Sequence, residues 1–134
     1  MSHEARVGIV LVSHSVALAE GTAELAGQIG GGTVTIATAG GMEDGSIGTS
    51  IVKIRRALSL ADAGAGVLIL PDLGSSVLTV RALLSDADDL PDQVNVADAP
   101  FVEGAVAATV TAAAGGDVKA VLSAAEEARH ARKL

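Results

Sequence analysis

Apolar residues run along the chain in two alternating patterns. Val7-Gly8-Ile9-Val10-Leu11-Val12 is an unbroken apolar run, as expected of a strand buried on both faces. It stops at Ser13-His14-Ser15. From residue 16 the spacing becomes helical, with Leu18, Leu25 and Ile29 on one side and alanines between, until Gly30-Gly31-Gly32 ends it. Residues 34–37 predict a second strand, and residues 39–48 a glycine-rich loop. Thr49 or Ser50 can cap a helix through Ile51, Ile54, Leu58 and Leu60. Val67-Leu68-Ile69-Leu70 reads as a third buried strand, closed by Pro71 and the loop Asp72-Leu73-Gly74-Ser75. Ser75 or Ser76 can cap a helix over residues 77–84. A short strand at 94–97, an alanine-rich helix at 102–114 and a last helix at about 117–132 complete the chain.

Strands alternating with helices at this spacing imply βαβ units and a parallel sheet covered by helices. With right-handed crossovers, the most economical arrangement is a three-layer α/β fold with a four-stranded parallel sheet of order 2-1-3-4 flanked by helices. Residues 1–134 read as one domain, with a core over about 7–114 and the C-terminal helix after it. In such sheets the site lies beyond the carboxyl ends of the strands, where the strand order reverses. That crevice falls between the first and third strands and is faced by Ser13-His14-Ser15 and Asp72-Leu73-Gly74-Ser75.

Composition narrows the chemistry. The 134 residues include 26 alanines and 16 glycines but one aromatic residue, Phe101, so the core must be aliphatic and closely packed. Base-stacking platforms are missing, and a net charge of −7 argues against a phosphate-tracking surface, so no nucleic-acid partner is expected. The absence of cysteine excludes disulfides, zinc–thiolate sites and thiol nucleophiles. The first apolar run is too short to span a bilayer or act as a signal peptide, so a cytoplasmic protein with no membrane span is expected.

Three histidines remain. His3 lies in a terminus expected to fray, and His130 sits among Arg129, Arg132 and Lys133, where a solvated helix face explains it. His14 stands at the switch point. A lone imidazole there suits covalent catalysis as a phosphoryl acceptor, since it is nucleophilic near neutral pH. A metal site is not expected, because the other histidines are distant in sequence. The helix that follows His14 can offer backbone donors to phosphoryl oxygens. Asp72 can orient the ring, although an Asp after Pro also suits a plain turn. The 40–50 segment is not a P-loop, because no Lys follows its last glycine. It is either turn chemistry or a rim from which Thr49 or Ser50 reaches a transferred group.

Four blocks carry a family likeness. They are Gly8-Ile9-Val10-Leu11-Val12-Ser13-His14-Ser15 with Leu18-Ala19-Glu20-Gly21; Gly40-Gly41 with Asp44-Gly45-Ser46-Ile47-Gly48-Thr49-Ser50; Gly66-Val67-Leu68-Ile69-Leu70 with Asp72-Leu73-Gly74-Ser75; and Ala99-Pro100-Phe101-Val102-Glu103-Gly104-Ala105. In this order they resemble the DhaM family, phosphotransferase subunits of phosphoenolpyruvate-dependent dihydroxyacetone kinases, within the mannose-type enzyme IIA fold family. The resemblance implies a homodimer that binds no cofactor of its own. It implies that His14 accepts a phosphoryl group, ultimately from phosphoenolpyruvate, from phospho-HPr on Nε2. The group then passes to ADP held on DhaL, for phosphorylation of dihydroxyacetone by DhaK. Asp72 would be the carboxylate beside the acceptor, and Ser15, Thr49 and Ser75 candidate phosphoryl contacts. Some members continue into HPr-like and enzyme I-like domains; this sequence stops after the first, so a separate HPr is the expected donor. Two alternatives are the enzyme IIA domain of a mannose-type sugar transporter and a regulatory module read through His14 phosphorylation. The 102–114 helix is apolar enough to suggest the dimer surface.

Overall fold

The computed structural model describes residues 5–134; His3 lies outside them. Four strands, β1 (Gly8–Ser13), β2 (Ile36–Gly40), β3 (Val67–Pro71) and β4 (Val94–Val96), form one parallel sheet of order β2-β1-β3-β4. The order is the one expected from the sequence. Five helices cover the sheet: α1 (Val16–Ile29), α2 (Ile51–Ala61), α3 (Gly74–Asp86), α4 (Phe101–Ala113) and α5 (Val118–Glu127). Each βαβ crossover forces a strand to be buried on both faces, which is why β1 and β3 lack polar alternation. Ile9, Leu11, Leu68 and Leu70 join the core under α1, α4 and α5, whereas Val10, Val12, Val67 and Ile69 join the core under α2 and α3.

Several boundaries differ from the sequence reading. The second strand runs to Gly40 rather than stopping at residue 37, because its register with β1 pairs Thr38 with Leu11 and Gly40 with Ser13. The third helix begins at Gly74, and neither Ser75 nor Ser76 caps it; its N-cap position is Leu73, without a side-chain bond. Asp72 precedes this start, its carboxylate accepting from both the Leu73 amide and the Ser76 hydroxyl. The last α-helix ends at Glu127 and continues as a 3-10 turn over Ala128–His130, where Arg129 turns back to bond the carbonyl and carboxylate of Asp98. The fourth helix is buried along one side only. Ala105, Ala108, Thr109 and Ala112 are buried in the chain's own core, leaving Val102 and Val110 exposed.

Small residues set the distance between layers. A Cβ built on Gly8 would stand 2.0 Å from the carbonyl oxygen of Ala61, so the end of α2 rests directly on the β1 backbone. A Cβ on Gly40 would come within 2.8 Å of the Ser15 carbonyl oxygen and of Val16 Cα, so α1 can start close to the end of β2 only because Gly40 is bare. Gly8→Ala is expected to destabilise the protein by about 3 kcal/mol, the upper range for overpacking, because backbone rather than a flexible side chain must give way. Urea denaturation of the two proteins reads this; an unchanged midpoint would contradict the close contact.

Candidate functional site

The site is built where β1 and β3 end side by side. Val12 pairs with Pro71, and the Asp72 amide continues the ladder by donating to the Val12 carbonyl at 2.9 Å. This places Ser13-His14 against Asp72. The Asp72 side chain then meets five donors. Oδ2 accepts from the His14 amide at 3.0 Å and from the Ser13 hydroxyl at 3.0 Å. Oδ1 accepts from the Leu73 amide at 2.8 Å, the Ser76 hydroxyl at 2.7 Å and His14 Nδ1 at 3.1 Å. Burial alone would raise this carboxyl. The bonds from the His14 amide, the Ser76 hydroxyl, the His14 ring and the Ser13 hydroxyl outweigh it and bring the pKa down to about 2.

An ionised carboxylate can only accept, so Nδ1 carries the proton and Nε2 carries the lone pair. The Ser75 hydroxyl stands 2.8 Å from Nε2. Ser75 lies in the first turn of α3, where backbone N–H groups have no partner within the helix and the helix dipole is positive. The helix start that meets the free nitrogen is therefore that of α3, whereas the sequence reading looked to the helix after His14. The ring turns this way because Asp72 holds Nδ1. His14 is fixed at its backbone too: its amide bonds Asp72, and its carbonyl accepts from the Gly48 amide at 3.1 Å. The His14 side chain is 20% exposed and that of Asp72 6%, so the imidazole offers one edge to solvent over a covered carboxylate.

The structure brings His14, Asp72 and Ser75 into direct contact. It places Ser15 as the cap of α1, its hydroxyl accepting from the Leu18 amide at 3.1 Å. Thr49 reaches the cluster from behind, with Oγ1 3.4 Å from Ser76 Oγ. Two participants escaped the sequence reading. Ser13 looked like the residue where the strand stops, and Ser76 like a helix cap. The available signal was spacing: Ser76 lies four residues after Asp72, in the first turn of the helix that Asp72 precedes. His130 is exposed at the 3-10 turn. No group of three or more His, Cys, Asp or Glu side chains that could hold a metal ion occurs among the described residues, and no helix there is long and apolar enough to cross a membrane.

The chain is thus an α/β protein whose parallel sheet of order 2-1-3-4 carries a carboxylate-held histidine at its switch point, and comparison with known proteins gives its family. The family model described as PTS system fructose IIA component, EIIA-man, matches residues 8–122. The chain belongs to this family. Within it, the curated relatives are DhaM proteins. The phosphoryl donor subunit DhaM of the PEP-dependent dihydroxyacetone kinase of Escherichia coli strain K12 is 41% identical over 132 residues, 95% of this chain and 28% of that protein. The corresponding subunit of kinase 2 from Listeria innocua is 34% identical over 117 residues, covering 87% of this chain and 94% of that one. The chain thus spans somewhat over a quarter of the length of its enterobacterial relatives and nearly all of the shorter one. Among solved structures, the crystal structure of the unknown-function protein EF1359 superposes with a TM-score of 0.81 at 34% identity, covering 91% of this chain and 94% of that chain.

Proposed function

We propose that this chain is a phosphohistidine carrier serving a dihydroxyacetone kinase, with His14 Nε2 as the acceptor. The observation that carries the proposal is the ring's polarity: Nδ1 is held as a donor by Asp72, while Nε2 faces Ser75 at the start of α3. In this reading phospho-HPr delivers the phosphoryl group. The donor's P–N bond breaks as the Nε2 lone pair bonds phosphorus, and the Ser75 hydroxyl swings to donate to a phosphoryl oxygen. The α3 amides and dipole take up the negative charge of the group. In the second half of the cycle an oxygen of ADP bound on DhaL attacks phosphorus, the P–Nε2 electron pair returns to the ring, and ATP forms for DhaK to use. Asp72 keeps the Nδ1 proton in place throughout and balances the charge that the ring acquires. The relatives' printed names support this assignment.

The working form in this reading is a homodimer. The exposed Leu18, Leu25 and Ile29 along α1, together with Val102 and Val110 of α4 on the same side of the sheet, are the apolar surface it would cover.

The test is single turnover. Protein labelled with radioactive phosphate by phosphoenolpyruvate, enzyme I and HPr is separated and mixed with DhaL and ADP. The label is expected to appear in ATP within the mixing time of a manual assay. The family description names a sugar-system component, which favours a second reading, in which the label passes to an enzyme IIB domain instead. Label that stays on His14 with either acceptor would point to a regulatory module and overturn the carrier assignment.

A further inference from the structure

We propose that Ser76 is a positioning residue for phosphoryl release: by sharing the Asp72 carboxylate with the His14 ring, it limits how tightly that carboxylate holds the phosphorylated imidazole. This rests on His14 being the acceptor. Ser76 is wholly buried in the first turn of α3. Its Oγ lies 2.7 Å from Asp72 Oδ1 and 3.2 Å from His14 Nδ1. The carboxylate cannot donate, so the Ser76 proton points at Oδ1 and its lone pairs face the Nδ1–H and the Thr49 hydroxyl.

Charge bookkeeping gives this contact its meaning. When the phosphoryl group bonds Nε2 and Nδ1 keeps its proton, the ring becomes formally cationic. When the P–Nε2 bond breaks toward an acceptor oxygen, the pair returns to Nε2 and the ring is neutral again. An Asp72 with undiluted charge would favour the cationic, phosphorylated ring and so retain the group. Ser76 donates to Oδ1, the oxygen that faces the ring, and draws charge from it. Of the other side-chain donors, Ser13 acts on Oδ2, away from Nδ1. Ser76 also accepts part of the Nδ1–H directly, so the proton is divided between a neutral oxygen and a charged one. The result is a carrier whose grip on the phosphoryl group is loosened on one atom, without loss of the tautomer that leaves Nε2 free.

The experiment uses the full chain with phosphoenolpyruvate, enzyme I and HPr. It compares the native protein with Ser76→Ala and with Ser76→Thr, which keeps the hydroxyl. Three quantities are read: the equilibrium division of label between HPr and this protein, the rates of uptake and release, and the His14 Nδ1–H proton resonance. Ser76→Ala is expected to shift the division toward this protein by roughly fivefold, as removal of a hydrogen bond to a charged group can. Release slows while uptake is kept, the Nδ1–H resonance moves downfield, and Ser76→Thr restores all three. A merely structural role would slow uptake and release alike and leave the division where it is; that outcome overturns the proposal. Should Ser76→Ala not fold, Ser76→Cys, a much weaker donor of similar size, carries the same measurement. Native protein that takes no label on His14 would instead defeat the carrier reading itself, a result distinct from a labelled protein whose division ignores Ser76.

Discussion

Replacing His14 with alanine is expected to abolish phosphoryl uptake altogether. Protein incubated with phosphoenolpyruvate, enzyme I and HPr should carry an acid-labile, base-stable label in the native form. His14→Ala should carry none above the level of a reaction lacking HPr. The effect is total because, among the described residues, no other nucleophile stands at the switch point: the chain has no cysteine, and His130 lies at the C-terminal 3-10 turn. The Ser75 hydroxyl alone is a poor nucleophile without a base. Folding should survive, since the bonds through the His14 amide and carbonyl belong to the backbone and remain available to alanine. Circular dichroism of the variant checks this. Label retained by His14→Ala, or found on His130, would remove His14 from the mechanism.

Asp72→Asn is expected to slow transfer by about 10²- to 10⁴-fold while the protein stays folded, the upper end being the loss seen when an acid that fixes a histidine tautomer becomes an amide. The amide cannot satisfy both ends of the site. With its NH2 at the Oδ1 position it opposes the Leu73 amide and drives the ring proton to Nε2, where it blocks the lone pair. With its NH2 at the Oδ2 position it opposes the His14 amide. Rapid-quench labelling measures the rate, and imidazole nitrogen shifts report the tautomer. A native rate would show that Asp72 does not act on the ring.

The same residue sets an acid dependence. Its carboxyl titrates near 2 in the folded chain against 3.8 in the unfolded one, so the folded state binds protons less readily. The stabilisation is full above about pH 4 and is lost as the pH falls through 2; its size is about 2 kcal/mol. Below pH 4 the stability gap between native protein and Asp72→Asn should close, as thermal unfolding at stepped pH will show.

The fold was legible because buried parallel strands leave a plain mark. The runs 7–12 and 67–70 are short, branched and bounded by breakers, as strands covered on both sides are, and with helices between them the crossover rule favours one economical order. His14 and Asp72 were legible for the same reason: each follows one of those runs directly, and the switch point brings the two ends together. What stayed hidden depended on side chains competing for one partner. Ser76 has every local qualification to cap a helix, yet it lies inside α3, which starts at Gly74, and its hydroxyl donates to Asp72. Ser15 shows the reverse, a candidate contact that the helix takes as its cap. A periodic pattern records burial; it does not record which nearby partner a hydroxyl bonds.

His14 cannot swing. Its amide and Nδ1 are both held by Asp72, its carbonyl by Gly48 and its Nε2 by Ser75, so the imidazole is a fixed post rather than an arm. A mobile carrier could receive at one place and deliver at another. A fixed one must be visited at the same edge by giver and taker, in turn. The two partners then exclude each other, and a spent donor that lingers delays delivery. Speed in such a relay is set by how quickly each visitor leaves, which favours brief, weak encounters over a lasting three-part assembly.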